Sequence, residues 1–408
     1  MTDRQVDTSS GARQAERRVS RGKFRPDIEG LRAVAVLVVV LCHAGVPGLS
    51  GGYIGVDVFF VISGFLITGL LWREATTTNT IRLARFYGAR ARRLLPAAAT
   101  VAIATAIAAA VALPPLQARN VLLDGIASAL YVGNYWFALR GSGTDNLAWD
   151  TAPAPFQHYW SLGVGEQFYL IWPALIIGAA WLVGRARRGA ASQAVPYAAL
   201  GLVGAASLAA AVLWTRTAPP WAFFSLPTRA WELVAGGLVA LSIRQWRRLP
   251  LLPAAIAGWG GLALIVLTCH QLGPNTPYPG TAALLPVLGT ALVIGGGCVT
   301  GGMGPGRLLY RPVMRALGRV SYSWYLWHWP VLLLLPRLLG QPASLPAKLA
   351  ATLVSAGLAV ITLYLVENPG RFAAGPRGSA VASPALAGLA TATTVTACVL
   401  LLTLIPQI

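Results

Sequence analysis

Residues 55–72 read GVDVFFVISGFLITGLLW. After Asp57 no charge follows to the end of the stretch. A bilayer core is crossed by a helix of about 20 apolar residues. Runs of this kind recur near 33–48, 56–72, 97–113, 165–184, 195–214, 226–243, 251–269, 279–298, 320–338, 347–366 and 379–405. The expectation is an all-α polytopic membrane protein of about eleven transmembrane helices.

Composition points the same way. The chain has 408 residues, of which 56% are hydrophobic and 11% charged. Soluble domains carry about 25% charged residues. The net charge is +19, which elsewhere would suggest nucleic acid. Here the basic residues cluster in short segments between apolar runs, the pattern of the positive-inside rule, and no nucleic-acid partner is expected. Cys42, Cys269, Cys298 and Cys398 sit in or beside apolar runs without ligand spacing, so neither a metal site nor a disulfide framework is expected. The polar, basic residues 1–23 lack the layout of a signal peptide and read as a disordered cytoplasmic tail.

The segment 119–139 is moderately apolar but contains Asp124, Gly133 and Asn134. If it does not cross, the tail with Arg32 and the segments 73–93, 185–188, 244–248, 307–319 and 371–377 share one side. That side then holds 26 of the 32 Lys and Arg. The other side holds Arg119, Arg140, Arg216, Arg229, Arg337 and Lys348. The segment is therefore expected to be re-entrant or surface-lying, with the N-terminus cytoplasmic and the C-terminus extracytoplasmic. A twelfth crossing is the alternative.

Ionisable groups at membrane depth are costly, by about 2.5–3.5 kcal/mol on insertion scales, so each is a functional candidate. Arg32 and His43 lie eleven residues apart, close to three helical turns, on one face and about 16 Å apart along the axis. His43 reads either as a helix-end histidine facing interfacial water or as a general base. Asp57 opens the next span after a short loop. It is either an N-cap or a carboxylate orienting His43. Arg82 to Arg93 form a basic interfacial segment, either setting topology against anionic lipid or binding the phosphates of a donor. His158, Trp160 and Ser161 lead into another span, with Glu166 inside it. Glu232 stands at a helix entrance. His328 lies between Trp327 and Trp329 and reads either as a buried core residue or as part of the site.

These segments in this order resemble the acyltransferase-3 family of integral membrane O-acyltransferases, which modify sugars, peptidoglycan and lipopolysaccharide-type glycans. The match is carried by FRPDIEGLR (24–32), His43, GVDVFFVISGF (55–65) and RARRLLP (90–96). HYWSLGVGEQFYLIWP (158–173), RAWEL (229–233), SYSWYLWHWP (321–330) and VENP (366–369) complete it. The resemblance implies a membrane acyltransferase domain over 24–372, with 373–408 as an additional C-terminal helix. It implies transfer of an acyl group, acetyl above all, from cytoplasmic acyl-CoA to a hydroxyl of an envelope glycan or other glycosylated acceptor in the bacterial cytoplasmic membrane. Acyl-CoA is then a co-substrate, with no bound cofactor. His43, Arg32 and Asp57 form the catalytic set, and Arg90, Arg92 and Arg93 hold the donor. His158, Trp160, Ser161, Glu166, Glu232 and His328 are supporting or acceptor-side residues.

The family usually has Glu where this chain has Gly165, and Glu166 follows one residue later. Neighbouring helix positions point about 100° apart, so Glu166 is no automatic substitute. Relatives often add an extracytoplasmic SGNH-type domain; if one assists here, it is expected from a separate protein. The competing readings are a proton-coupled transporter of an envelope precursor, disfavoured by the lack of an internal repeat, and a degenerate non-catalytic homologue.

Overall fold

The computed structural model describes residues 25–141, 154–185, 190–299, 302–340, 342, 344–369 and 382–406. The tail 1–23, Arg187, Arg188 and the basic stretch 371–377 lie outside them. The described residues form helices joined by turns, with no strand among them. The helices of seven residues or more are α1 (Pro26–His43), α2 (Gly55–Thr78), α3 (Leu83–Ala112), α4 (Pro115–Ala129), α5 (Gly133–Leu139), α6 (Trp160–Arg185) and α7 (Ala190–Thr217). Then follow α8 (Leu226–Leu241), α9 (Leu251–Gln271), α10 (Leu284–Gly296), α11 (Pro312–Leu338), α12 (Leu345–Thr362) and α13 (Ala382–Leu404). A π-helical turn, Leu363–Glu367, continues α12.

The chain is an all-α polytopic membrane protein. Each of the eleven expected spans overlaps a helix. Among the described residues, 7 helices are long and apolar enough to cross a membrane. The other four segments fall on α1, α8, α10 and α11. Of these, α10 is short, with 13 residues. The other three carry charge or a polar run: Asp27, Glu29 and Arg32 in α1, Arg229 and Glu232 in α8, and Ser321 to His328 in α11. Arg32 and His43, Arg229 and Glu232, and His328 lie on these three helices.

Polar helices of this sort pack where lipid does not reach them. α1 packs on α11, and α2 packs on α8. The second contact is set by glycine. A Cβ on Gly64 would collide with the Leu233 carbonyl, and one on Gly236 would collide with the Val61 carbonyl. Small residues let two backbones meet, which is how membrane helices gain contact without a hydrophobic drive between them.

The segment 119–139 is two short helices. α4 has 15 residues and α5 has 7, and neither reaches the length of a crossing. Tyr131, with φ 57°, turns the chain between them. Asp124 accepts from Trp136 Nε1 at 2.8 Å and from Arg140 Nη1 at 2.7 Å, holding α5 against α4.

Candidate active site

The starts of α1, α3 and α11 and the end of α2 meet at one end of the bundle. Between them lies a cleft of about 2740 Å³. Arg32, Arg90, Arg92 and Arg93 all line it, together with Arg25, Arg73, Arg82, Arg85, Arg244, Arg247 and Arg319. Glu29, Glu74, Glu166 and Glu367 line it as well, so guanidinium groups well outnumber carboxylates. Arg90 donates from Nη2 to Glu166 Oε1 at 2.8 Å, and its guanidinium sits 3.1 Å from the Tyr169 ring centroid. Glu166, expected as a supporting or acceptor-side residue, thus belongs to the arginine cleft. The reason is helical phase: Ser161, Leu162, Gly165, Glu166 and Tyr169 of α6 all face that cavity. At Gly165 a Cβ would meet only Tyr169 Cε2, at 3.7 Å, so the space a longer side chain would use there is open.

A second, small chamber of about 40 Å³ lies toward the other end of α1. His43, Asp57, His158, Trp160, Arg229 and Tyr325 line it, with Tyr53, Val56, Gln157, Phe223, Tyr278 and Trp329. α1 therefore runs from the arginine cleft at Arg32 to the chamber at His43.

His43 Nδ1 lies 3.0 Å from His328 Nε2, and the two ring planes are 4° apart. His328 Nδ1 lies 2.6 Å from the Tyr325 carbonyl. A carbonyl only accepts, so Nδ1 of His328 carries the hydrogen. In a neutral imidazole the other nitrogen then accepts. The network thus assigns a hydrogen to His43 Nδ1, which donates to His328 Nε2. The lone pair of His43 is left on Nε2, the nitrogen able to take a proton.

Asp57 is not the partner of His43. Arg229 Nη1 donates to Asp57 Oδ1 at 3.0 Å and to Glu232 Oε1 at 2.9 Å. The three are almost fully buried, at 1% exposure for Asp57 and Arg229 and 0% for Glu232. A buried carboxylate pairs with the nearest cation before a neutral ring, because an unpaired charge there costs most. Nor does Asp57 cap its helix; α2 has no side-chain cap. Arg229 also donates from Nε to the Phe223 carbonyl at 3.0 Å, and its guanidinium lies over Trp160 and Tyr278. Arg229, which entered the sequence reading only in the count of charges on each side, is thus a buried member of the site. Its hint in the sequence was Glu232 three positions on, a helix neighbour.

Pro330 explains the placement of His158. Proline has no N–H, so the carbonyl four residues earlier, at Leu326, loses its helical donor. His158 Nε2 donates to it at 2.9 Å. The surrounding tryptophans fix α11: Trp324 donates to Ser355, Trp327 to Thr362 and Trp329 to the Ala154 carbonyl. Ser161 lines the cleft rather than the chamber, its hydroxyl 2.9 Å from the Tyr325 hydroxyl.

Val56 and Tyr325 line both cavities. The arginine cleft and the His43 chamber are thus back to back, separated by side chains and not by a layer of helices.

The family description "Acyltransferase domain" matches residues 25–402. The chain belongs to the acyltransferase-3 family. It is 31% identical over 366 residues to the peptidoglycan O-acetyltransferase OatA of Listeria monocytogenes, covering 85% of this chain and 56% of that protein. It is 31% identical over 361 residues to the putative peptidoglycan O-acetyltransferase YrhL of Bacillus subtilis, covering 85% and 55%. A putative O-acetyltransferase of Staphylococcus aureus is 30% identical over 325 residues, covering 76% and 51%. The chain spans about half the length of these curated relatives. No solved structure matches it.

Proposed function

We propose that this acyltransferase-3 chain is a membrane O-acetyltransferase of the bacterial cytoplasmic membrane. It takes an acetyl group from cytoplasmic acetyl-CoA and places it on a hydroxyl of an envelope glycan. The observation that carries this reading is the hydrogen-bonded pair His43–His328, which leaves His43 Nε2 as a base next to the arginine cleft. The names of the relatives support an acetyl group and make peptidoglycan the first acceptor to test.

In the proposed reaction, Arg32, Arg90, Arg92 and Arg93 gather the phosphates of the donor, since guanidinium binds phosphate bidentately. The thioester reaches past Val56 and Tyr325 into the chamber. His43 Nε2 takes the proton of the acceptor hydroxyl as that oxygen attacks the thioester carbonyl carbon. Negative charge builds on the carbonyl oxygen, while Arg229, already shared between Asp57 and Glu232, braces the chamber wall. The carbon–sulfur bond then breaks, and the CoA sulfur leaves with the proton returned by the His43 imidazolium. The products are an O-acetyl ester and free CoA.

Mass spectrometry of envelope glycans, with and without the gene and with His43→Ala, tests this. The expected result is an ester-linked acetyl group, labile to mild base, present only with the unaltered protein. Full acetylation by His43→Ala would remove His43 as the base.

A further inference from the structure

Arg90 is held by two residues on one face of α6. Glu166 Oε1 accepts from its Nη2 at 2.8 Å. The ring of Tyr169, three positions on and so a helix neighbour, lies against the guanidinium at 3.1 Å. Tyr87, three positions before Arg90 on α3, donates to the Leu170 carbonyl at 3.1 Å and ties α3 to α6. The side chain of Arg90 is 15% exposed and that of Glu166 29%, so water and salt screen the pair only in part.

A guanidinium grips two oxygens of a phosphate in its own plane, through two parallel N–H groups. The side-on fork is Nε with Nη2, and the end-on fork is Nη1 with Nη2. Nη2 belongs to both, and Nη2 is the nitrogen that Glu166 takes. Nε of Arg90 is buried and has no hydrogen-bond partner, so the side-on fork is half filled. The Tyr169 ring covers a face of the guanidinium and leaves its edges for binding. A phosphate that grips Arg90 bidentately must therefore displace the Glu166 carboxylate.

We infer that Glu166 is an internal competitor for the donor's phosphate at Arg90, seated on the nitrogen the phosphate needs and set aside when it binds. This rests on the acyl-CoA reading above. The competition weakens acetyl-CoA and CoA alike, because it concerns a part of the molecule that the reaction leaves unchanged. Its effect is to speed the release of spent CoA.

Membranes carrying the full chain are assayed for thiol release from acetyl-CoA, with free CoA added as inhibitor and membranes lacking the chain as the blank. Glu166→Gln should lower KM for acetyl-CoA about fivefold, the upper end for a part-exposed ion pair. The inhibition constant of CoA should fall by the same factor. Glu166→Ala should do likewise, and it carries the test if the glutamine variant does not insert. In an Arg90→Ala background the effect of Glu166→Gln should vanish. A KM unchanged or raised in the Glu166 variants overturns the inference and leaves the acyltransferase reading intact; a rise would make Glu166 a residue that positions Arg90 for the donor. A fall that persists without Arg90 overturns it too, since the carboxylate then acts only through the overall charge of the cleft. No thiol release above the blank from the unaltered protein overturns the donor reading, and this inference with it.

Discussion

His43 and His328 are joined Nδ1 to Nε2 at 3.0 Å, although 285 residues separate them in the chain. When His43 takes a proton, this contact becomes a charge-assisted hydrogen bond, worth about 1.5–3 kcal/mol. His328→Ala should therefore lower kcat about ten- to hundredfold. His43→Ala should lower it about 10²–10⁴-fold. The double variant should be no slower than His43→Ala alone, as expected of residues acting as a unit. Acetyl transfer rates in membranes decide this; independent, multiplying losses would separate the two residues.

Arg229 holds two buried carboxylates, Asp57 and Glu232, through Nη1. Removing one partner of such a cluster costs about 3–5 kcal/mol. Arg229→Leu should lower the detergent melting temperature and the membrane level of the protein. Arg229→Lys should not restore them, because one ammonium cannot also reproduce the Nε bond to the Phe223 carbonyl. A lysine variant as stable as the parent would refute that account.

Arg90 and Arg93 line the arginine cleft with no part in the chamber; under the proposed reaction that cleft holds the donor. Arg90→Ala and Arg93→Ala should raise KM for acetyl-CoA about tenfold or more, the loss of one hydrogen bond to a charged group, while kcat changes less. Steady-state kinetics separate the two constants, and a loss confined to kcat would place these arginines in the chemistry instead.

At Gly165 an added Cβ makes only an ordinary contact, with Tyr169. Gly165→Ala should stabilise α6 by about 0.5–1 kcal/mol, the usual gain over glycine within a helix. At Gly64 the added Cβ strikes the Leu233 backbone, and Gly64→Ala should destabilise by about 1–3 kcal/mol. Thermal unfolding in detergent should move in opposite directions for the two alanines. Equal shifts would mean that the α2–α8 crossing is looser than its geometry.

Sequence carried the architecture because apolar runs separated by arginine are hard to read any other way. It also read Arg32 and His43 as members of one helix, and α1 carries both. It missed the partner of His43. Asp57 is close in the chain, so the short loop favoured it, whereas His328 among tryptophans looks like any core histidine. Arg229 was not singled out, because a cation at the end of an apolar run counts only toward topology until a second carboxylate is seen beside it. Val56 and Tyr325 gave no signal; a wall between two cavities exists only after the helices have packed.

That wall has an electrical meaning too. Under the proposed reaction, the transfer of an acyl group between the two faces of an energised membrane must not open a conduit for protons or sodium. A valine and a hydroxyl-anchored tyrosine, with the paired cluster of Arg229, Asp57 and Glu232 just beyond them, make a plug that is greasy first and a closed set of paired charges second. The proposed transfer then proceeds without short-circuiting the gradient on which the cell depends.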